Sequence, residues 1–162
     1  MIIQSQNLKT ILYEQTFMVV YRILKQKGPV PWLTENVDCS NNILIENLQY
    51  AGITYSFIIG QGHNYFTGLF GPIPFKHKNY RCLIYSGYLK SQNNGFNKKE
   101  YVLISFFLPA EIISLLINYN SIEKSFEKFV NMIKDIEYLS KMKLLQLRLN
   151  IIQNFTQNMD FT

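Results

Sequence analysis

The pattern of apolar and polar positions divides the chain into a helical beginning, a strand-rich middle and a helical end. Leu8, Ile11, Leu12, Val19, Val20, Ile23 and Leu24 recur at three- and four-residue spacings, which predicts a helix from Leu8 to Lys27. Lys25 and Lys27 suit its negative end, and Gly28-Pro29 would stop it. Val30-Pro31-Trp32 reads as an extended connector that brings Trp32 over one end of the core. Ile43 to Leu48 fits a first strand or a short helix. From Gly52 to Gly60 the residues alternate, Ile53, Tyr55, Phe57 and Ile59 against Thr54, Ser56 and Ile58, which predicts a strand. Gly60-Gln61-Gly62-His63-Asn64 is a turn signal, with Tyr65 to Phe70 as the returning strand. Gly71-Pro72-Ile73-Pro74 should leave the sheet, since two prolines remove two ladder donors. Arg81 to Leu89 and Tyr101 to Leu108 complete the strands, and the second, apolar on both faces, belongs at the centre.

Pro109-Ala110-Glu111 opens a helix that stops near Asn118, and Asn120 with Glu123 resembles a capping box for the next. No Gly or Pro interrupts Ser121 to Gln157. Unbroken, that helix would be about 55 Å long, beyond the roughly 30 Å span of a domain this size. It must bend near Glu137 to Lys143 or project. Its apolar stripe shifts phase at the same place. Phe126, Phe129, Ile133 and Ile136 are expected to cover the sheet. Leu145, Leu149 and Ile152, on a distal helix over about 143–158, are expected to be free for another chain. Truncation after Lys143 should then leave a folded monomer. The fold class expected is α+β: a single antiparallel sheet of four or five strands with an N-terminal helix and two C-terminal helices packed on it. The whole of 1–162 is expected to be a single domain, because this length suits one ordinary domain.

Charge changes the picture in one place. The chain carries +5, whereas the stretch from Asn47 to Lys99 holds no Asp or Glu and carries Lys76, Lys78, Arg81, Lys90, Lys98 and Lys99. Lys76, Lys78, Tyr80, Arg81 and Tyr88 are the candidate surface for an acidic protein or a phosphate. Gln61, His63 and Asn64 form a candidate ligand loop, although glycines flanking a turn explain the same residues. The GQGHN run is not a dinucleotide motif, because its spacing is wrong and no helix follows. Cys39 and Cys82 lie far apart without metal-ligand spacing, so neither a disulfide framework nor a metal site is expected, and no cofactor is expected. Paired acid and base carboxylates would have to come from Glu46 and Glu100. The Asn, Ile, Lys, Phe and Tyr bias matches an AT-rich coding sequence. With no leader-like start and no apolar run beyond FMVVY, a soluble intracellular protein without a transmembrane segment is expected.

The order helix, strands, helices is loosely similar to that of ubiquitin-conjugating-type folds, and the small sheet with flanking helices is similar to roadblock and longin modules. No motif of these families is present, and a conjugating fold would need a placed catalytic Cys where this chain has Cys82 in YRCLIYS. The residues point first to a non-catalytic protein-interaction or assembly module. It would use the basic Tyr-rich face and the C-terminal helix toward an acidic partner or a second copy. A nucleic-acid-binding domain using Lys76, Lys78, Arg81 and tyrosines is the alternative. A small enzyme or carrier for an anionic ligand, using His63 and Arg81, is the third.

Overall fold

The computed structural model describes residues 2–24, 27–60, 66–77, 79–91, 98–113, 118–133 and 135–157. The elements run α1 (Ile2–Gln15), β1 (Phe17–Leu24), β2 (Gly28–Glu35), α2 (Asn42–Gly60), β3 (Gly68–Phe75), β4 (Tyr80–Ser91) and β5 (Lys98–Pro109). The short α3 (Ala110–Ile113), α4 (Tyr119–Met132), a 3-10 turn (Ile136–Tyr138) and α5 (Lys141–Gln157) follow. All neighbouring strands are antiparallel, in the order β2-β1-β5-β4-β3. The α+β class and the single sheet are as the pattern predicts, with five strands. YVLISFFL lies at the centre, between β1 and β4.

Two segments change type. The first helix ends at Gln15, and FMVVYRIL is strand β1. Its apolar run fits both periods, but its β-branched and aromatic content favours a strand buried on both faces. Gly28 takes φ 71° at the first residue of β2, where a helix stop was expected. Conversely, Gly52 to Gly60 is the second half of helix α2. Asn41 caps that helix by accepting a 3.1 Å bond from the Leu44 amide. Leu44, Leu48, Ala51 and Tyr55 form its buried face at helical spacing. The apparent alternation came from further apolar residues on the opposite side. Gly71 to Pro74 also stays in the sheet. It belongs to the edge strand β3, where pairing with β4 skips from Phe70 to Ile73. An edge strand tolerates missing donors on its free side.

Helices cover both faces of the sheet rather than one. Met18, Val20, Leu83, Tyr85, Leu89, Val102, Ile104, Phe106 and Leu108 pack beneath α1, α4 and α5. Phe17, Val19, Tyr21, Ile73, Cys82, Ile84, Leu103 and Phe107 pack beneath α2. The long C-terminal stretch does not project. Helix α4 is capped by Asn118, two residues before the expected Asn120, and it ends where Ile133 turns extended. Asp135 caps the 3-10 turn and the Ser140 hydroxyl accepts from the Lys143 amide at the start of α5. These short polar side chains break the helix at the phase shift. Helix α5 then returns across the sheet with Leu144, Leu147, Ile151, Ile152 and Phe155 in the core.

One polar knot holds α5 in place. Arg148, buried, donates to Glu35 on β2 from Nε at 2.5 Å and from Nη2 at 3.0 Å. Its Nη1 donates to the Tyr13 carbonyl at 2.8 Å and to Thr16 Oγ1 at 3.1 Å. Asn36, in the left-handed region at φ 58°, donates to the Thr16 carbonyl at 2.8 Å. The end of α1 is thus capped from two directions.

Removing one partner strands the other charge in the interior. Glu35→Ala should lower stability by about 3–5 kcal/mol, while Glu35→Leu with Arg148→Met should lose much less. Truncation after Lys143 should unfold the domain, because it removes five core side chains and this knot. Chemical denaturation of the three variants checks both expectations.

Candidate functional site

The expected basic site does not assemble as one surface. Strand β4 pairs with β5 in unbroken register, so its side chains alternate strictly between faces. Arg81 is half-buried and opposes Leu108 on the face of α1, α4 and α5. Tyr80 and Tyr88 lie on the α2 face. Tyr80 is buried, stacked 5.6 Å from Phe17, and donates its hydroxyl to the Gln15 carbonyl at 2.7 Å. Burial raises its pKa, and it is a structural residue. Lys76 is exposed at the β3–β4 turn. Lys78, Gln61, His63 and Asn64 lie outside the described residues. On α5, Ile152 is wholly buried whereas Leu145 and Leu149 are half-buried, so the expected interaction stripe is divided between core and surface.

The groups that chemistry would draw on are apart or engaged. Burial pushes the Cys82 thiol well above its ordinary range, outweighing the lowering influence of neighbouring Ser105 and Tyr55. A thiol held protonated is a poor nucleophile. Glu100 accepts a bidentate pair of bonds from Arg22 at 2.7–3.0 Å, and Arg22 lies 4.8 Å below the ring of Trp32. Trp32 therefore covers a charge rather than the core end. Glu46 is exposed on α2, across the sheet from Glu100.

The surface that stands out is the outer side of α2. Tyr21 donates its hydroxyl to the Leu48 carbonyl at 2.8 Å and fixes the inner side. A Cβ at Gly52 would stand 2.5 Å from Tyr21 Cε1, so glycine lets the helix backbone rest on that ring. On the opposite side Ile43, Tyr50, Ile53 and Phe57 are 68, 63, 41 and 62% exposed. They recur at seven, three and four residues and form one apolar stripe along the helix. Glu46 is the only charged side chain of α2. Beside the stripe, Asn47, Tyr50, Ala51, Thr54 and Tyr55 line a groove of about 350 Å³ with Pro74, Phe75 and Lys76.

A second surface lies at the far end of the same sheet face. Tyr88 opposes Tyr101 and Lys90 opposes Lys99 across β4 and β5, with the tyrosine rings 5.2 Å apart. The Tyr101 hydroxyl donates to the Phe66 carbonyl at 2.6 Å. Neither edge of the sheet is an open template for another strand. Pro29 and Pro31 lie in β2, and Pro72 and Pro74 lie in β3. Among the described residues, no three His, Cys, Asp or Glu side chains gather as metal ligands, and no helix is long and apolar enough to cross a membrane. Compared with known proteins, the chain matches no family model, no curated protein and no solved structure.

Two outcomes follow from the packing under α2. In the native protein a thiol reagent should label the exposed Cys39 and leave Cys82 unreacted until the chain unfolds. Gly52→Ala should cost about 1–3 kcal/mol by overpacking against Tyr21, measured by thermal melting.

Proposed function

We propose that the chain is a non-catalytic protein-interaction or assembly module that receives a partner helix on the outer side of α2. The observation that carries this reading is that α2 is apolar on both sides. A helix apolar all round normally lies inside a structure, with neighbours on each side. Here the inner side has its neighbours in the sheet, and the outer side holds four large apolar side chains in water. Their heptad-like spacing suits helix-on-helix packing. The prolines of β2 and β3 argue against recognition by strand addition. The buried thiol and the Arg22-bound Glu100 support a binding role over a chemical one.

A photo-crosslinking residue at position 50 should capture a defined partner segment, and Phe57→Glu in the same chain should abolish capture. A crosslinker at exposed Lys128 should not capture it. Because both altered side chains are exposed, stability should stay within about 0.5 kcal/mol. Equal capture from positions 50 and 128 would remove the helix from the account.

A nucleic-acid-binding reading draws on the other surface. Two lysines directly opposed on a sheet repel each other, and an anion between them would relieve that. Adjacent exposed Tyr88 offers a ring on which a base can stack. Under this reading, a single-stranded oligonucleotide binds with a salt dependence whose slope falls by about 1.4 in the Lys90→Glu, Lys99→Glu variant. Fluorescence anisotropy across a salt series reads that slope, and no binding by the wild type at low salt would exclude it.

A further inference from the structure

We infer that the helix received by α2 is the α2 of a second copy, packed antiparallel about a two-fold axis near Tyr50. This rests on the reading of the outer side of α2 as a docking surface, and adds the identity of its occupant. The two ends of the stripe are symmetric about Tyr50 in sequence, and Ile53 is set against Asn47 of the other copy. Ile43 lies seven residues before Tyr50 and Phe57 seven residues after it. In an antiparallel pair centred there, Ile43 of each copy covers Phe57 of the other, and the two Tyr50 rings meet on the axis. A two-fold interface requires this self-complementarity, since the same patch serves both partners.

Charge points to the same partner. Glu46 stands four residues before Tyr50, and Thr54 stands four after it. The axis therefore sets Glu46 of one copy over Thr54 of the other. Thr54 and Lys76 line the same groove beside the stripe. Both Glu46 and Lys76 are exposed, and among the described residues neither forms an ion pair within its own chain. The two-fold brings each Glu46 to the Lys76 of the other copy, twice per dimer. No other charged side chain lies on α2 to oppose the approach, although each chain carries +5 overall.

The contact is small. The stripe from Ile43 to Phe57 is about 22 Å long at about 1.5 Å per residue. One helix face of that length buries less than the roughly 800 Å² per partner of a standard interface. The dimer is accordingly concentration-dependent, and its constant is sensitive to the two charge pairs.

Sedimentation equilibrium of the full chain up to several hundred micromolar tests this with three samples. Wild type should dimerise reversibly. Glu46→Lys alone and Lys76→Glu alone should each weaken the dimer by about tenfold or more, because each places like charges face to face twice. An equimolar mixture of the two variants should recover association close to wild type, since the mixed pair restores opposite charges at both positions. Circular dichroism melts confirm that these exposed substitutions leave the fold intact.

A wild type that stays monomeric throughout overturns the inference. So does a mixture no more associated than its components, or a monomer that instead floats with anionic lipid vesicles. Capture of a different protein from position 50 alongside a monomeric wild type would leave the docking reading standing and reject only the second copy. Wild-type dimerisation unaffected by either charge reversal would reject the two-fold geometry.

Discussion

The guanidinium of Arg148 joins parts of the chain that no apolar contact would hold in register. It reaches from α5 to the carboxylate of Glu35 at the end of β2, and to the carbonyl and hydroxyl groups that finish α1. Four of its contacts are hydrogen bonds to oxygen, so a charge taken out of water keeps its polar partners. Apolar packing is proportional to area and nearly indifferent to direction. Helix α5 could slide by a turn along the sheet and still bury leucines. The fork of Arg148 matches Glu35 in one position only, and that position fixes where α1 ends and β1 begins. The helical layer thus combines a directional polar contact with the apolar packing of the surrounding side chains.

The other face of the sheet is organised differently. Among the described residues α2 is the helix that lies there, and its contact is set by Tyr21, whose ring fills the space left by Gly52 and whose hydroxyl ends on the Leu48 carbonyl. Tyr55 and Cys82 complete this interior, where burial holds both hydroxyls and the thiol in their protonated forms. Among the described residues, one side of the protein is thus a layer of α1, α4 and α5 with the short α3, and the other is α2, exposed on its outer side at Ile43, Tyr50, Ile53 and Phe57. The asymmetry is what makes the outer surface of α2 available.

The sequence disclosed strands where independent physical signals agreed. β4 and β5 were legible because period two, β-branched residues and turn residues agreed, and YVLISFFL announced a strand buried on both faces. β1 was misread because FMVVY satisfies two periods, and its tail of Arg22, Ile23 and Leu24 extended the helical one. α2 was misread for the reason that makes it interesting: exposed Ile53 and Phe57 supplied an alternation its buried face did not require. Arg148 was a missed signal, a lone charge on the stripe of Leu144, Leu147, Ile151 and Ile152. The Tyr88–Tyr101 and Lys90–Lys99 pairs needed the strand register. Tyr-x-Lys before the β4–β5 connection and Lys-x-Tyr after it are mirror images, and that mirror was the available clue. Lys76 and Arg81, five residues apart, are separated because Lys76 lies in the turn beside α2 while the pleat of β4 directs Arg81 to the other face.

The prolines of the two outermost strands have a consequence for how large anything built from this chain can become. A sheet with free edges grows by adding a further copy at each end, and each addition presents a fresh edge, so growth has no natural stop. β2 and β3 interrupt that series at its first step. A chain in which 15% of residues are aromatic would otherwise have ample sticky surface with which to continue. Prolines at both ends of the sheet disfavour that route of association. The same four residues that disturb the edge strands thereby disfavour growth by strand addition.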